Sequence, residues 1–235
     1  MTWVTAHLFE DDNLRDRARA DVARLGTLDP KTLTQSSPVL SSVFAETLRL
    51  HSTMYSMLTA RGADANLGKW RLPQGKIGVV STGLSHMDDT VWNTRDGQHP
   101  LASFWADRFL VYPSDPTSGP LNMNRRRQHD AAAAQTKTKS EEEYSTAGAA
   151  DSHGPTFSLE GLEGSWIPYG AGRHACPGRV MSKQMVLYAV ALIISQYDIE
   201  LLEGPVPVEK DKWSFGFNVA VPKDKIPFQI RKREL

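Results

Sequence analysis

One ten-residue loop constrains this chain more than any other feature. Tyr169-Gly-Ala-Gly-Arg-His-Ala-Cys-Pro-Gly178 holds the only cysteine, Cys176, and runs straight into an apolar stretch of helical length. A thiolate, not a thiol, binds metal, and thiolates are favoured beside cations and at helix N-termini. Arg173 and His174 supply positive charge next to the sulfur, and a helix after Cys176 would aim its dipole and free N–H groups at it. Gly170, Gly172 and Gly178 allow backbone turns and the close approach of a flat ligand. The pattern predicts a thiolate metal ligand held at the mouth of a helix.

The rest of the chain is legible as a series of helices and short strands. Residues 1–9 read as the tail of a helix, with Trp3, Val4, Leu8 and Phe9 apolar and nothing before them to pack against. Asp11, Asp12 and Asn13 offer a cap for a polar helix over about 12–25, with Leu14, Val22 and Leu25 on one side and Gly26 at its end. From Pro38 to Leu50, the residues Leu40, Val43, Phe44, Thr47 and Leu48 form one stripe at helical spacing, which predicts a helix. Glu46 and Arg49 fall on its other side, three residues apart, where they can pair. Trp70 to Val80 predicts two short strands joined by a Pro-Gln-Gly turn, and Ser85 to Trp92 a capped helical turn. Phe104-Trp-Ala-Asp-Arg-Phe109 is dense in aromatics and expected to be packed.

Residues 114–153 differ in composition. Arg125 to Arg127, Ala131 to Ala134 and Glu141 to Glu143 sit among Ser, Thr, Gly and Asn, which predicts a disordered surface insertion. After Cys176 a helix to about Tyr197 is predicted, apolar almost all round from Met185 to Ile194 and so buried. Two β-like stretches follow, around Phe215-Gly-Phe217 and Ile226 to Ile230.

Charge and length exclude several classes. Formal net charge is zero, and the three arginines at 125–127 lack interleaved aromatics, so nucleic acid is not an expected partner. The most apolar run, Met185 to Ile194, is half the ~20 residues that a membrane-spanning helix needs. The first twelve residues lack the basic start and apolar run of a signal peptide. A single cysteine rules out an intramolecular disulfide and suits a reducing compartment.

The cysteine loop resembles the haem-binding loop of the cytochrome P450 family, in which an aromatic, Gly-x-Gly, a basic residue two before the cysteine and Cys-x-Gly recur in this order. Two further motifs precede it in the family's order. They are Glu46-Thr-Leu-Arg49, and an aromatic-rich segment with an arginine, here Phe104 to Phe109 with Arg108. His86-Met-Asp-Asp-Thr-Val-Trp92 resembles the family's His-x-Asp…Trp segment between them. One mild departure is Tyr169, where phenylalanine is usual.

The resemblance implies a mainly α fold with small β-sheets, of which residues 1–235 are the C-terminal part, with 114–153 inserted in it. It implies Cys176 as the proximal ligand to the iron of haem b (iron protoporphyrin IX). Arg173, His174, Tyr169, Gly170, Gly172 and Gly178 would contact the cofactor, with His174 on a propionate. Glu46, Arg49 and Arg108 would form a buried ion-pair network. Met54, Tyr55, Ser56, Phe215 and Phe217 would border the substrate cavity. The implied activity is insertion of one oxygen atom from O2 into a lipophilic small molecule, with electrons from a flavoprotein reductase. A full-length relative would sit at the endoplasmic reticulum membrane. Two alternatives stay open: a non-catalytic truncated fragment, since Met1-Thr-Trp-Val resembles the last turns of the family's distal oxygen-handling helix, and a haem-thiolate isomerase or dehydratase.

Overall fold

A computed structural model describes residues 1–136, 154–172, 175–206, 209–214 and 219–234 of the chain. Helix α1 spans Thr2–Glu10, α2 Asp12–Leu25, α3 Pro30–Ser36 and α4 Pro38–His51. Strands β1 Tyr55–Thr59, β2 Ala65–Leu67, β3 Trp70–Leu72 and β4 Ile77–Ser81 follow, then α5 Thr82–His86, β5 Leu110–Val111 and α6 Met123–Thr136. Strand β6 Thr156–Phe157, the 18-residue helix α7 Arg179–Gln196, β7 Tyr197–Leu201, a 3-10 turn Lys212–Ser214 and β8 Phe228–Lys232 complete the described elements.

The helix boundaries have local causes. Asp11 accepts the amide of Leu14 at 3.0 Å and starts α2, and Gly26 ends it in the left-handed region at φ 62°. Asp29 accepts from Thr32 at 2.8 Å and Pro30 occupies the first turn of α3, a helix the sequence reading missed. The cap of α4 comes from outside its own segment. Asp21 of α2 accepts from the Ser37 hydroxyl at 3.1 Å and the Val39 amide at 2.9 Å.

Every residue of α4 from Val39 to His51 is buried. Val39, Leu40, Val43, Phe44 and Leu48 join Leu8 and Phe9 of α1, Ala18 and Val22 of α2, Leu33 of α3 and Leu187, Val190, Ala191 and Ile194 of α7 in the main core. A second cluster, with Ala45, Trp92, Phe109, Leu121 and Leu162, packs on the other side of the same helix. The apolar start therefore has partners after all. Trp3 packs with Ala6 and Val206, and its Nε1 donates to the Ala220 carbonyl at 2.6 Å.

Among the described residues the strands form four antiparallel pairs: β1 with β4, β2 with β3, β5 with β6 and β7 with β8. This corrects the pairing expected over Trp70 to Val80. The Pro73-Gln74-Gly75 turn exists, with Lys76 donating to the Pro73 carbonyl at 3.1 Å. It joins strands with different partners, however, because Gly68, at φ 61°, folds β3 back onto β2, and the amide of Gly75 bonds Ala60 after β1.

Two further expectations are altered. The segment 114–136 is built into the fold: Asp115 pairs with Arg95 at 2.5 Å, Ser118 and Leu121 are buried, and α6 follows. Its polar residues are used in turns, where side chains bond nearby backbone, as Asp115 does with Thr117 at 2.9 Å. Residues 137–153 lie outside the described residues. Helix α7 is buried along one stripe only, and within the run Met185 to Ile194, Met185 and Tyr188 off that stripe are 58% and 37% exposed.

Candidate functional site

Glu46 and Arg49 lie on the side of α4 that its sequence marks as polar, yet both are fully buried. Arg49 grips the Glu46 carboxylate with two donors, Nε at 2.7 Å and Nη2 at 2.8 Å. Its remaining donors reach the carbonyls of His86 at 2.9 Å and Leu101 at 2.8 Å. Arg108, equally buried, donates through Nε to both carboxylate oxygens at 3.0 and 3.1 Å, and its Nη1 bonds the Asn93 carbonyl. The amide of Trp105 adds a fourth donor to Glu46 at 3.2 Å. The arginines also lie over aromatic rings, Arg49 over Trp92 at 5.6 Å and Arg108 over Trp105 at 5.1 Å.

Burial alone would raise the pKa of Glu46, but two adjacent guanidiniums outweigh it and hold the carboxyl below its ordinary range. For Arg108 burial dominates, with repulsion from Arg49, and its pKa is lowered despite Glu46. Two cations share one anion here, and backbone carbonyls of 86, 93 and 101 absorb the donors left over. Such a network fixes geometry more than it adds stability.

The loop that carries Cys176 is packed against the end of α4. The Ser52 hydroxyl donates to the Pro168 carbonyl at 3.4 Å, and the Trp166 indole to the Ala45 carbonyl at 3.3 Å. Tyr169 turns its carbonyl onto the amide of Cys176 at 2.9 Å. Gly170 and Gly172 have φ of 75° and 63°, a region that strains other L-residues. A Cβ on Gly170 would also stand 3.4 Å from Met54 and 3.8 Å from the Ser56 hydroxyl, so the start of β1 borders the loop. Tyr55, between them, is exposed, as strand alternation requires. Gly178 has an ordinary φ of −80°, and a Cβ there would meet the Cys176 sulfur at an unstrained 3.8 Å.

Cys176 is a free thiol, partly exposed, at the mouth of α7. The hydroxyl of Tyr169 is buried near Ser182, and burial, with the neighbouring Cys176, pushes its pKa up to about 12 against a smaller opposing effect of Ser182. Arg173, His174, Phe215 and Phe217 lie outside the described residues. The structure thus brings Met54, Ser56, Tyr169, Gly170 and Cys176 together, and Glu46, Arg49 and Arg108 together.

Two features went unread in the sequence. His86 is fully buried and links the two groups, with its carbonyl on Arg49 and its Nε2 on the amide of Ile167 at 3.1 Å. Burial, then repulsion from Arg49, lowers its pKa to about 4, against smaller opposing effects of the Arg49 and Ser52 backbone and Glu46. His7 and His51 form a buried pair, Nε2 to Nε2 at 3.2 Å, with His51 stacked on Trp3 at 3.8 Å. They line a cleft of about 550 Å³ with Phe104 and Trp105, whose walls do not include Cys176. A sequence-only signal existed for His86, in its spacing to Trp92, but none for the histidine pair.

Comparison with known proteins gives a consistent result. Residues 157–229 match the family model described as Cytochrome P450. The chain is 36% identical over 247 residues to the cytochrome P450 monooxygenase fsoE of Humicola fuscoatra, covering 99% of this chain and 39% of that protein. It is 36% identical over 224 residues to the cytochrome P450 monooxygenase efuG of Hormonema carpetanum, covering 94% of this chain and 36% of that one. The fold is similar to that of cyanobacterial CYP120A1 with retinoic acid bound, at a TM-score of 0.58 and 21% identity, over 97% of this chain and 40% of that chain. The chain thus spans under two fifths of the length of these two monooxygenases. A mainly helical fold with small antiparallel sheets, a cysteine loop at the mouth of a helix and relatives matched along nearly the whole chain agree: this chain belongs to the cytochrome P450 family.

Proposed function

We propose that this chain carries the thiolate-ligand part of a haem-dependent monooxygenase domain, with Cys176 as ligand to the iron of haem b. The observation that carries the reading is the placement of the one cysteine. Cys176 is partly exposed at the mouth of α7, with its amide held by the Tyr169 carbonyl, in a loop that turns through two left-handed glycines, Gly170 and Gly172. The donor set fits the group. A single soft sulfur ligand with no nearby His/Cys/Asp/Glu cluster among the described residues suits an iron whose other ligands come from a macrocycle. Val180 and Met181, in the first turn of the helix that follows Cys176, are exposed apolar residues.

When bound, haem with a thiolate ligand supplies oxygen activation. The chain's own residues supply ligand and position. Glu46, Arg49 and Arg108 brace the segment that leads into the loop. Gly170 and Gly172 let its backbone lie close to a flat group. Arg173 and His174 are assigned to the cofactor's propionates, and Gly178 to the turn beside the sulfur. Met54, Tyr55 and Ser56, with Phe215 and Phe217, are assigned to the wall of a cavity for a lipophilic small molecule, which receives one oxygen atom. A flavoprotein reductase is the proposed electron donor and the endoplasmic reticulum membrane the proposed setting. Among the described residues no helix is long and apolar enough to cross a membrane.

The test is a reduced, carbon-monoxide difference spectrum of the chain with haem supplied. A strongly red-shifted Soret band that disappears in Cys176→Ala is expected. A band that survives Cys176→Ala would overturn the ligand assignment. No band in the unaltered chain would favour the reading as a fragment that does not hold haem by itself.

A further inference from the structure

We propose that His86 is a positioning residue for the thiolate ligand, its imidazole holding the amide of Ile167 and so fixing where the Cys176 loop begins. The inference rests on the assignment of Cys176 as ligand. His86 ends α5 and is fully buried. Its main chain is pinned by Arg49, whose Nη1 donates to the His86 carbonyl at 2.9 Å. Its side chain meets a different segment: Nε2 lies 3.1 Å from the amide nitrogen of Ile167. An amide can only donate, so Nε2 carries a lone pair and the ring proton sits on Nδ1.

The position of that amide matters. Residue 168 is proline and has no N–H, so the Ile167 amide is the last main-chain donor before Tyr169. The Tyr169 carbonyl then receives the amide of Cys176 at 2.9 Å. One imidazole therefore lies between the buried ion network and the short segment that sets the cysteine. Packing alone does not account for a histidine here. Its ring accepts from the Ile167 amide and also meets the backbone of Arg49 and Ser52, contacts that an apolar side chain of similar volume would not make. The Nε2 contact is what the ring offers over leucine.

Three substitutions separate positioning from space-filling. His86→Gln keeps an acceptor at about the reach of Nε2. His86→Asn keeps an acceptor but is one carbon too short. His86→Leu keeps volume and removes the acceptor. Because Cys176 is the only cysteine, its rate of alkylation by iodoacetamide reads the loop directly, without haem. Hydrogen exchange of peptides covering 166–170 reads the Ile167 amide. Asn and Leu are expected to raise both rates about tenfold, and Gln to restore them to near those of the unaltered chain. With haem supplied, the same variants are expected to lose the red-shifted carbon-monoxide band in the same order. Equal rates in all three variants, or no change in Asn and Leu, would overturn the proposal. Should Leu not fold, Gln against Asn decides alone. Should the unaltered chain give no red-shifted band, it does not hold haem by itself, and the alkylation contrast still decides the role of His86.

Discussion

Replacing Glu46 by alanine should be among the most damaging single changes in the chain. The carboxylate is fully buried and receives five donor contacts: two from Arg49, two from Arg108 Nε and one from the Trp105 amide. Removing it leaves two buried guanidiniums facing each other with no anion between them. Breaking a buried pair by deleting one partner costs about 3–5 kcal/mol, and the loss here should sit at the upper end because two cations are orphaned. Domains of this size are stable by only about 5–15 kcal/mol, so the variant should be marginal. The assay is urea unfolding followed by tryptophan fluorescence, with Lys223→Ala as control. Lys223 pairs with Glu209 at 2.6 Å but both are more than half exposed, so solvent screening should leave that pair with little effect on stability. A Glu46→Ala loss no larger than the control's would refute the reasoning, because burial would then not be what makes the network costly to break.

Stability should fall in acid through the histidines. His86, at about 4 in the folded chain against 6.5 for the free side chain, is neutral when folded and protonated when unfolded between those values. Its contribution is therefore complete above about pH 6.5 and declines by about 3 kcal/mol as pH falls to 4, read as a drop in urea midpoint from pH 7 to pH 5 and below. His51, pushed down to about 2 by burial and then by His7, acts in the same direction over a wider window. Gly26→Ala should cost about 1 kcal/mol by thermal unfolding, entirely through its φ of 62°, since nothing lies within 4 Å of a Cβ there. Leu187→Ala should cost about 2–5 kcal/mol, because Leu187 is fully buried where α7 meets the main core, whereas Met185→Ala on the exposed side should cost under about 1 kcal/mol.

What could be read in the sequence was what depends on near neighbours. The caps of α2 lie within three residues of its ends, and both were legible as Asp11 and Gly26. The Pro73-Gln74-Gly75 turn was legible as well, but its pairing was not, because the alternative hairpin turns on a single left-handed glycine, Gly68. The burial of Glu46 and Arg49 contradicts the amphipathic pattern of α4. Periodicity reports one apolar stripe and cannot register a second core, built from Trp92, Phe109 and Leu121, that closes over the polar side. The same limit applies in reverse to α7, where the run apolar on all sides from Met185 to Ile194 gave no hint that Met185 and Tyr188 stay exposed. Resemblance to a family pointed to residues 46, 49, 108 and 176, because order along the chain survives where periodicity misleads. His86 joins two groups some forty and eighty residues away, a relation that no local pattern encodes.

The carboxylate of Asp21 bears on the order in which the chain folds. Helix α4 has 14 residues, a length at which an isolated helix is marginal in water, and its first turn is closed by a side chain from α2 rather than by its own Ser37. Its N-terminus is incomplete until α2 has docked. Docking of α2 therefore stabilises α4, and with it the helix that carries Glu46 and Arg49, through a residue that touches neither of them.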